Sequence, residues 1–237
     1  AGDLMLNEVT ALNELMVSPD HPCVFVLGGA KISDAFGMMR RILESGTADS
    51  VLSCGITGEI MLLAKGIALG ATKERFIKDR GLEVFIPEAL TFLQNYPDQI
   101  FFPTDLAYSE GGTRREVSVK DLPLDEMFMD IGPETVKKYA AVISQAKTVF
   151  INGPPGAYED QLFEKGTRAV LDAIASCSGY TVIGGGDTVT AATRFVDLDD
   201  INYVCTAGGA MVRFISGMRL PLIQAMEKAY LRDQSTS

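Results

Sequence analysis

Three consecutive glycines, Gly184, Gly185 and Gly186, stand between a short apolar run and the stretch Asp187-Thr188-Val189-Thr190. Each glycine loses more chain entropy on folding than any other residue, so three together at a strand–helix junction need a reason. A sharp turn is one. Another is the close approach of an anion to the backbone N–H groups at a helix start, which have no intrahelical partner and sit at the positive end of the helix dipole. A carboxylate directly after such a loop would repel a phosphate unless a cation lay between them. Mg2+ takes one or two carboxylates together with phosphate oxygens and meets that condition. Asp187 therefore has two readings, metal ligand and helix N-cap.

Similar junctions recur at Gly28-Gly29-Ala30-Lys31, Cys54-Gly55-Ile56-Thr57-Gly58, Asn152-Gly153-Pro154-Pro155-Gly156 and Thr206-Ala207-Gly208-Gly209-Ala210. Turn chemistry explains any one of them. Five at the carboxyl ends of strands in one sheet point to an anion-binding crevice lined by backbone donors, because ligands of open α/β sheets gather at that edge. A Walker A loop needs glycine immediately before its lysine, whereas Ala30 precedes Lys31, and no G-x-G-x-x-G follows a strand. Lys31 can still offer a mobile point charge to a phosphate. As an idle charge at a helix start it would oppose the dipole. Glu159 has two readings: hydrogen bonding to a ribose hydroxyl pair, or favouring the first turn of a helix over 160–176.

Other chemistries have poor material. The single histidine, His21, lies before Pro22 in a turn, which disfavours Ser–His and Cys–His nucleophilic catalysis. Cys23, Cys54, Cys177 and Cys205 form no C-x-x-C pair and no zinc spacing, so a reducing compartment is expected, with Cys23, Cys54 and Cys205, in or beside apolar runs, as packed core thiols. No pair of carboxylates stands in an evident cleft, and most are expected to solvate helix faces. The net charge of −10 argues against nucleic acid or an anionic membrane as partner. The apolar region from Val51 to Gly70 is interrupted by Glu59 and Lys65 and does not read as a bilayer span.

The elements that must position these residues alternate along the chain, 237 residues long and 47% apolar. Short apolar runs at 23–27, 50–54, 83–86, 99–102, 148–151, 180–183 and 202–205 read as strands. Helical spacing marks 33–45, 57–66, 87–95, 133–145, 160–176, 187–196, 210–216 and a closing helix near 221–231. Region 103–128 breaks the rhythm with a polar hairpin around a Gly-Gly turn. Residues 1–17 carry Met5, Val9, Leu12 and Met16 on one helical face, which either packs on the core or connects to another domain. The expected fold is α/β: a doubly wound, mostly parallel sheet with helices on both faces, Rossmann-like, one domain, plus a small polar hairpin.

The segments LGGAKISD (27–34), INGPPGAYE (151–159), VIGGGDT (182–188) and TAGGAM (206–211) occur in the order and spacing of the C-terminal half of phosphoglycerate kinases. Their wording resembles the archaeal branch most, and AGDLMLNEVTALNEL is similar to the family's interdomain helix. The resemblance implies a connector helix over 1–17 and a nucleotide-binding α/β domain over 18–237. It implies binding of ADP or ATP with Mg2+. Gly28, Gly29 and Ala30 would form the wall beside the base, with Asn152 and Pro154 in the pocket and Glu159 on the ribose. Gly184, Gly185 and Gly186 would form the phosphate loop, with Asp187 as metal ligand and Thr188 beside the phosphates. Lys31, Gly208 and Gly209 would face the phosphoryl group in transfer.

The same resemblance implies a cytoplasmic glycolytic enzyme that moves a phosphoryl group between 1,3-bisphosphoglycerate and ADP. It would meet 3-phosphoglycerate only through an N-terminal half and be inactive alone. Two departures stand out: Ala35 where many relatives have a second lysine, and Ala207 where a glycine is common. A stand-alone nucleotide-binding or regulatory module and a different α/β phosphotransferase are the alternative readings.

Overall fold

The computed structural model describes residues 10–12, 14–205 and 208–218. Helix α1 (residues 10–12 and 14–17) leads to strand β1 (Cys23–Leu27), α2 (Ile32–Glu44), β2 (Ser50–Ser53) and α3 (Gly55–Ala64). Next come α4 (Ala71–Asp79), α5 (Ile86–Asn95), β3 (Ile100–Phe101), the hairpin β4 (Asp105–Glu110) and β5 (Thr113–Ser118), and β6 (Asp130–Ile131). Helix α6 (Pro133–Ser144), β7 (Thr148–Asn152), α7 (Lys165–Ala175), β8 (Tyr180–Gly184), α8 (Gly186–Phe195), β9 (Tyr203–Val204) and α9 (Gly208–Ile215) complete the described chain.

Six strands form one sheet in the order β3-β2-β1-β7-β8-β9, and every neighbouring pair is parallel. The central strand CVFVL is buried along its whole length, as a strand covered on both faces must be. Its side chains divide by the strand's period of two. Cys23, Phe25 and Leu27 join a core with Leu12 and Leu15 of α1, Phe36 and Met39 of α2, Ile60 of α3, Phe92 of α5 and Met211 of α9. Val24 and Val26 join the opposite core with Tyr139 and Ile143 of α6, Val170 and Ile174 of α7 and Ala191 of α8. The chain winds outward from β1 in one direction and from β7 in the other. The switch point therefore lies between β1 and β7, and the crevice opens at their carboxyl ends.

Strands β5, β4 and β6 form a separate antiparallel sheet. Its hairpin turns through Gly111 (φ 56°) and Gly112 (φ 79°), the left-handed pair that a two-residue turn needs to match strand twist.

Two expectations are corrected, and one helix is added. The run EVFI at 83–86 is not a strand: Leu82–Phe85 is a 3-10 turn feeding α5, with Val84 67% exposed. A short apolar run without alternation does not separate strand from helix, and Pro87 in the first turn of α5 settles it as helix. Helix α4 carries too weak an apolar stripe to be legible, since only Lys73 and Ile77 are buried. The segment 160–176 is broken into a 3-10 turn, Gln161–Phe163, and α7. Met5, Val9 and the expected helix near 221–231 lie outside the described residues. No described helix is long and apolar enough to cross a membrane.

Candidate functional site

The turns after β1, β2 and β7 interlock at the switch point. The Gly28 N–H donates to the Asn152 carbonyl (3.0 Å) and the Gly29 N–H to the Pro154 carbonyl (2.9 Å). A Cβ on Gly28 would lie 2.7 Å from Cys54 Sγ and 2.8 Å from the Gly153 carbonyl oxygen. One on Gly153, at φ 89°, would collide with the Gly28 carbonyl, and one on Gly184 with Met211. These glycines admit neighbouring protein atoms. Gly186 and Gly209 are different: among the described residues a Cβ there meets nothing within 4 Å, and at Gly208 only Gly185 and Gly186 atoms at 3.9 Å. They border open space. Ala207 lies outside the described residues.

Gly185, at φ 86°, occupies the N-cap position of α8, and a Cβ on it would collide with the Asn152 side chain. Asp187 is exposed and makes no hydrogen bond or ion pair among the described residues, so it is not the cap. Thr188 is buried, and its Oγ1 accepts the Gly153 N–H at 2.7 Å.

The contrast with other helix starts is informative. Asp125 accepts the Thr72 N–H of α4, Asp105 the Glu134 and Thr135 N–H groups of α6, and Asp130 the Gly166 N–H of α7. Among the described residues, no side chain caps α2, α3 or α8, the helices that begin at the crevice. Apart from the Ile32 N–H, which donates to the Ala30 carbonyl at 3.1 Å, their first N–H groups remain available to an anion. Lys31 occupies the N-cap position of α2, exposed and without hydrogen bond or ion pair among the described residues. Ala35, one turn on, is buried in the core and contributes no charge there.

A cavity of about 260 Å3 opens beside these turns, near the lower end of small-molecule sites. It brings together Gly29, Ala30, Pro154, Glu159 and Asp187 of the expected residues. Lys31, Asn152, Thr188 and the glycines at 28, 184–186 and 208–209 do not line it. Glu159 is exposed and lies before the 3-10 turn, which Asp160 caps, so it does not belong to a helix first turn. Ile56, Phe76, Leu106 and Phe128 supply apolar wall.

Two buried ion pairs reach this cavity, contrary to the expectation that no pair of carboxylates stands in a cleft. Glu59 Oε2 lies 3.0 Å from Lys73 Nζ, with both side chains about 5% exposed or less. Burial raises the Glu59 carboxyl above its ordinary value, and the ammonium beside it pulls the other way. Asp130 accepts from Arg114 Nη1 at 2.8 Å and from the Gly166 and Ile131 N–H groups. Burial nevertheless lifts it from 3.8 to about 6. The one sequence signal for Glu59 is a charge in the middle of the apolar run of α3. Lys73 and Asp130 carry none. His21 pairs with Asp49 beside Cys23, at the amino end of β1 and away from the crevice. None of the four cysteines forms a disulfide, and burial pushes the Cys23 thiol up to about 12 and Cys54 higher still. Inert core thiols fit those values.

Counting only the strands of the parallel sheet, the order is 3-2-1-4-5-6, and the cavity lies at the reversal. That combination defines a doubly wound α/β domain with a ligand-sized site at its switch point. The family model described as phosphoglycerate kinase matches residues 1–218, and the chain belongs to that family. It is 38% identical over 229 residues to the phosphoglycerate kinase of Methanothermobacter thermautotrophicus, covering 97% of this chain and 56% of that protein. It is 40% identical over 225 residues to that of Methanopyrus kandleri, covering 95% and 55%. The crystal structure of phosphoglycerate kinase from Pyrococcus horikoshii OT3 superposes with a TM-score of 0.90 at 33% identity, covering 96% of this chain and 57% of that one. The chain thus spans a little over half the length of the relatives it matches.

Proposed function

We propose that this chain is the nucleotide-binding, C-terminal half of a cytoplasmic phosphoglycerate kinase, with residues 1–17 as its connector to the other half. The supporting observation is the pairing of an uncapped α8 start with the unpaired carboxylate of Asp187 at the rim of the cavity. In this reading the first N–H groups of α8 and the open glycines 186, 208 and 209 take the phosphates of ADP or ATP. The base and ribose occupy the cavity against Gly29, Ala30 and Pro154, with Glu159 on the ribose hydroxyls. The donor set fits Mg2+: one free carboxylate beside a phosphate-binding turn, with no group of three His, Cys, Asp or Glu among the described residues to make an all-protein site. Asp187 would hold the ion, which when bound neutralises phosphate charge.

Phosphoryl transfer asks a protein mainly for positioning and charge stabilisation. Lys31, exposed and with an ammonium unpaired among the described residues, is the group free to meet the phosphoryl being moved between 1,3-bisphosphoglycerate and ADP. Loss of a single preorganised donor lowers such rates by roughly 10²–10³, and bringing two substrates together is worth about 7–11 kcal/mol. The 3-phosphoglycerate site belongs to the part of the family that this chain does not match. Parallel titrations with Mg-ADP and 3-phosphoglycerate test the proposal: heat of binding is expected for the first alone. Mixing with a matching N-terminal half should produce kinase turnover that Lys31→Ala removes while leaving nucleotide binding in place. Efficient 3-phosphoglycerate phosphorylation by the 237-residue chain alone would refute this division of labour.

A further inference from the structure

The antiparallel hairpin supplies none of the groups assigned to the nucleotide, yet one of its side chains is buried behind the cavity wall. Arg114 of β5 is 7% exposed, although Thr113 and Arg115 on either side of it are exposed. Its Nη1 donates to Asp130 Oδ2 and to the Leu162 carbonyl, both at 2.8 Å, and its Nη2 to the Ile131 carbonyl at 3.0 Å. Its Nε donates to Glu116 at 2.6 Å. Four of the five guanidinium N–H groups are engaged, and a planar fork of this kind fixes its acceptors relative to one another.

Those acceptors join two stretches of chain. Asp130 and Ile131 line the cavity, and Leu162 follows the stretch through Gly156, Ala157 and Glu159 that lines it too. The Asp130 carboxylate is wedged against the second stretch: a Cβ on Gly156 or on Gly166 would collide with its Oδ1. Glu159 itself is exposed and makes no hydrogen bond or ion pair among the described residues, so the backbone on either side sets its aim. Before it, the Ala157 N–H donates to the Met129 carbonyl at 2.8 Å and the Tyr158 carbonyl accepts from Arg194 at 3.1 Å. After it, the Leu162 carbonyl accepts from Arg114. Arg194 is 41% exposed, which leaves Arg114 as the buried grip on this span.

We propose that Arg114 is a positioning residue for Glu159: from the hairpin it ties Leu162 to the 130–131 wall and so holds the Glu159 carboxylate where it meets the sugar hydroxyls. This rests on the nucleotide reading above. The experiment is calorimetric titration of the full chain with the Mg2+ complexes of ADP and 2′,3′-dideoxy-ADP. Wild type should bind ADP about tenfold more tightly than the dideoxy analogue, which offers Glu159 no donor. Arg114→Lys keeps a cation beside Asp130, and with it the fold, but puts one ammonium in place of the fork. Arg114→Met removes the cation as well. In both variants the ratio should fall to about twofold or less. Adding Arg114→Lys to Glu159→Ala should leave ADP affinity within about twofold of Glu159→Ala alone, since a residue that acts through Glu159 has nothing further to lose. A ratio that stays near tenfold in both variants, equal losses for ADP and the dideoxy analogue, or a further drop in the Glu159→Ala background would each overturn positioning by Arg114. Equal binding of the two nucleotides by the wild type would overturn the ribose role of Glu159 and this inference with it, and binding of neither would overturn the nucleotide reading itself.

Discussion

The hydroxyl of Thr188 accepts the N–H of Gly153 at 2.7 Å, tying the first turn of α8 to the turn after β7. Thr188 is 1% exposed, so the acceptor it offers is a buried one. Thr188→Val should destabilise the fold by about 1–3 kcal/mol, the penalty of a donor left unpaired, whereas Thr188→Ser should recover most of it. Urea unfolding of the two variants checks this. Equal stability of Val and Ser at position 188 would show that the bond contributes nothing.

The glycines of the crevice should separate into two kinds. Gly153→Ala puts a side chain at φ 89° and against the Gly28 carbonyl, so a loss of about 2 kcal/mol or more is expected. Gly186→Ala meets nothing within 4 Å in the first turn of α8. Its stability should hold or rise by up to about 1 kcal/mol, since alanine is the better helix former. In the proposed reading nucleotide affinity should nevertheless fall, because the added methyl would stand where phosphate approaches. Thermal melts with calorimetry on both variants decide. A Gly186→Ala protein that binds as tightly as wild type would remove position 186 from the phosphate loop.

Asp130 should give stability a distinctive pH dependence. Its folded value, lifted by burial to about 6, lies above the ordinary 3.8, so between these values the folded chain holds more protons than the unfolded one. Stability contributed by this group is therefore highest near pH 4 and declines as pH rises to about 6. Glu59, also raised by burial, adds in the same direction. Urea unfolding from pH 4 to 7 should show a flatter profile for Asp130→Asn than for wild type, whatever the offset caused by leaving Arg114 without its partner. Parallel profiles would place the Asp130 titration elsewhere.

Much of this architecture was legible because a parallel sheet buried on both faces writes its strands as uninterrupted apolar runs, such as CVFVL and TVFI. The glycine turns were legible for the same reason: their chemistry is local. What they do was not. Gly28, Gly153 and Gly184 make room for Cys54, Gly28 and Met211, partners from other parts of the chain, while Gly186 and Gly209 face open space. Helix α4 escaped because its stripe is only Lys73 and Ile77, and burial of a lysine depends on Glu59 and the Phe128 carbonyl, both remote in sequence. Asp130 and Arg114 meet only once the hairpin has paired with β6 and packed on the 3-10 turn Gln161–Phe163. Polar groups at such positions follow tertiary contacts, and no period in the sequence encodes them.

Asp187 carries the central claim, that this crevice binds a nucleotide through its metal complex. Calorimetric titration of wild type and Asp187→Asn with ADP, with and without Mg2+, addresses it most directly. Asparagine caps helices about as well as aspartate, and Asp187 caps nothing here, so the fold should be unaffected. Affinity for Mg-ADP should fall about tenfold or more, while metal-free ADP binds equally well or more tightly once the repelling carboxylate is gone. Indistinguishable affinities for the two proteins under both conditions, or no nucleotide binding by the wild type, would contradict the claim.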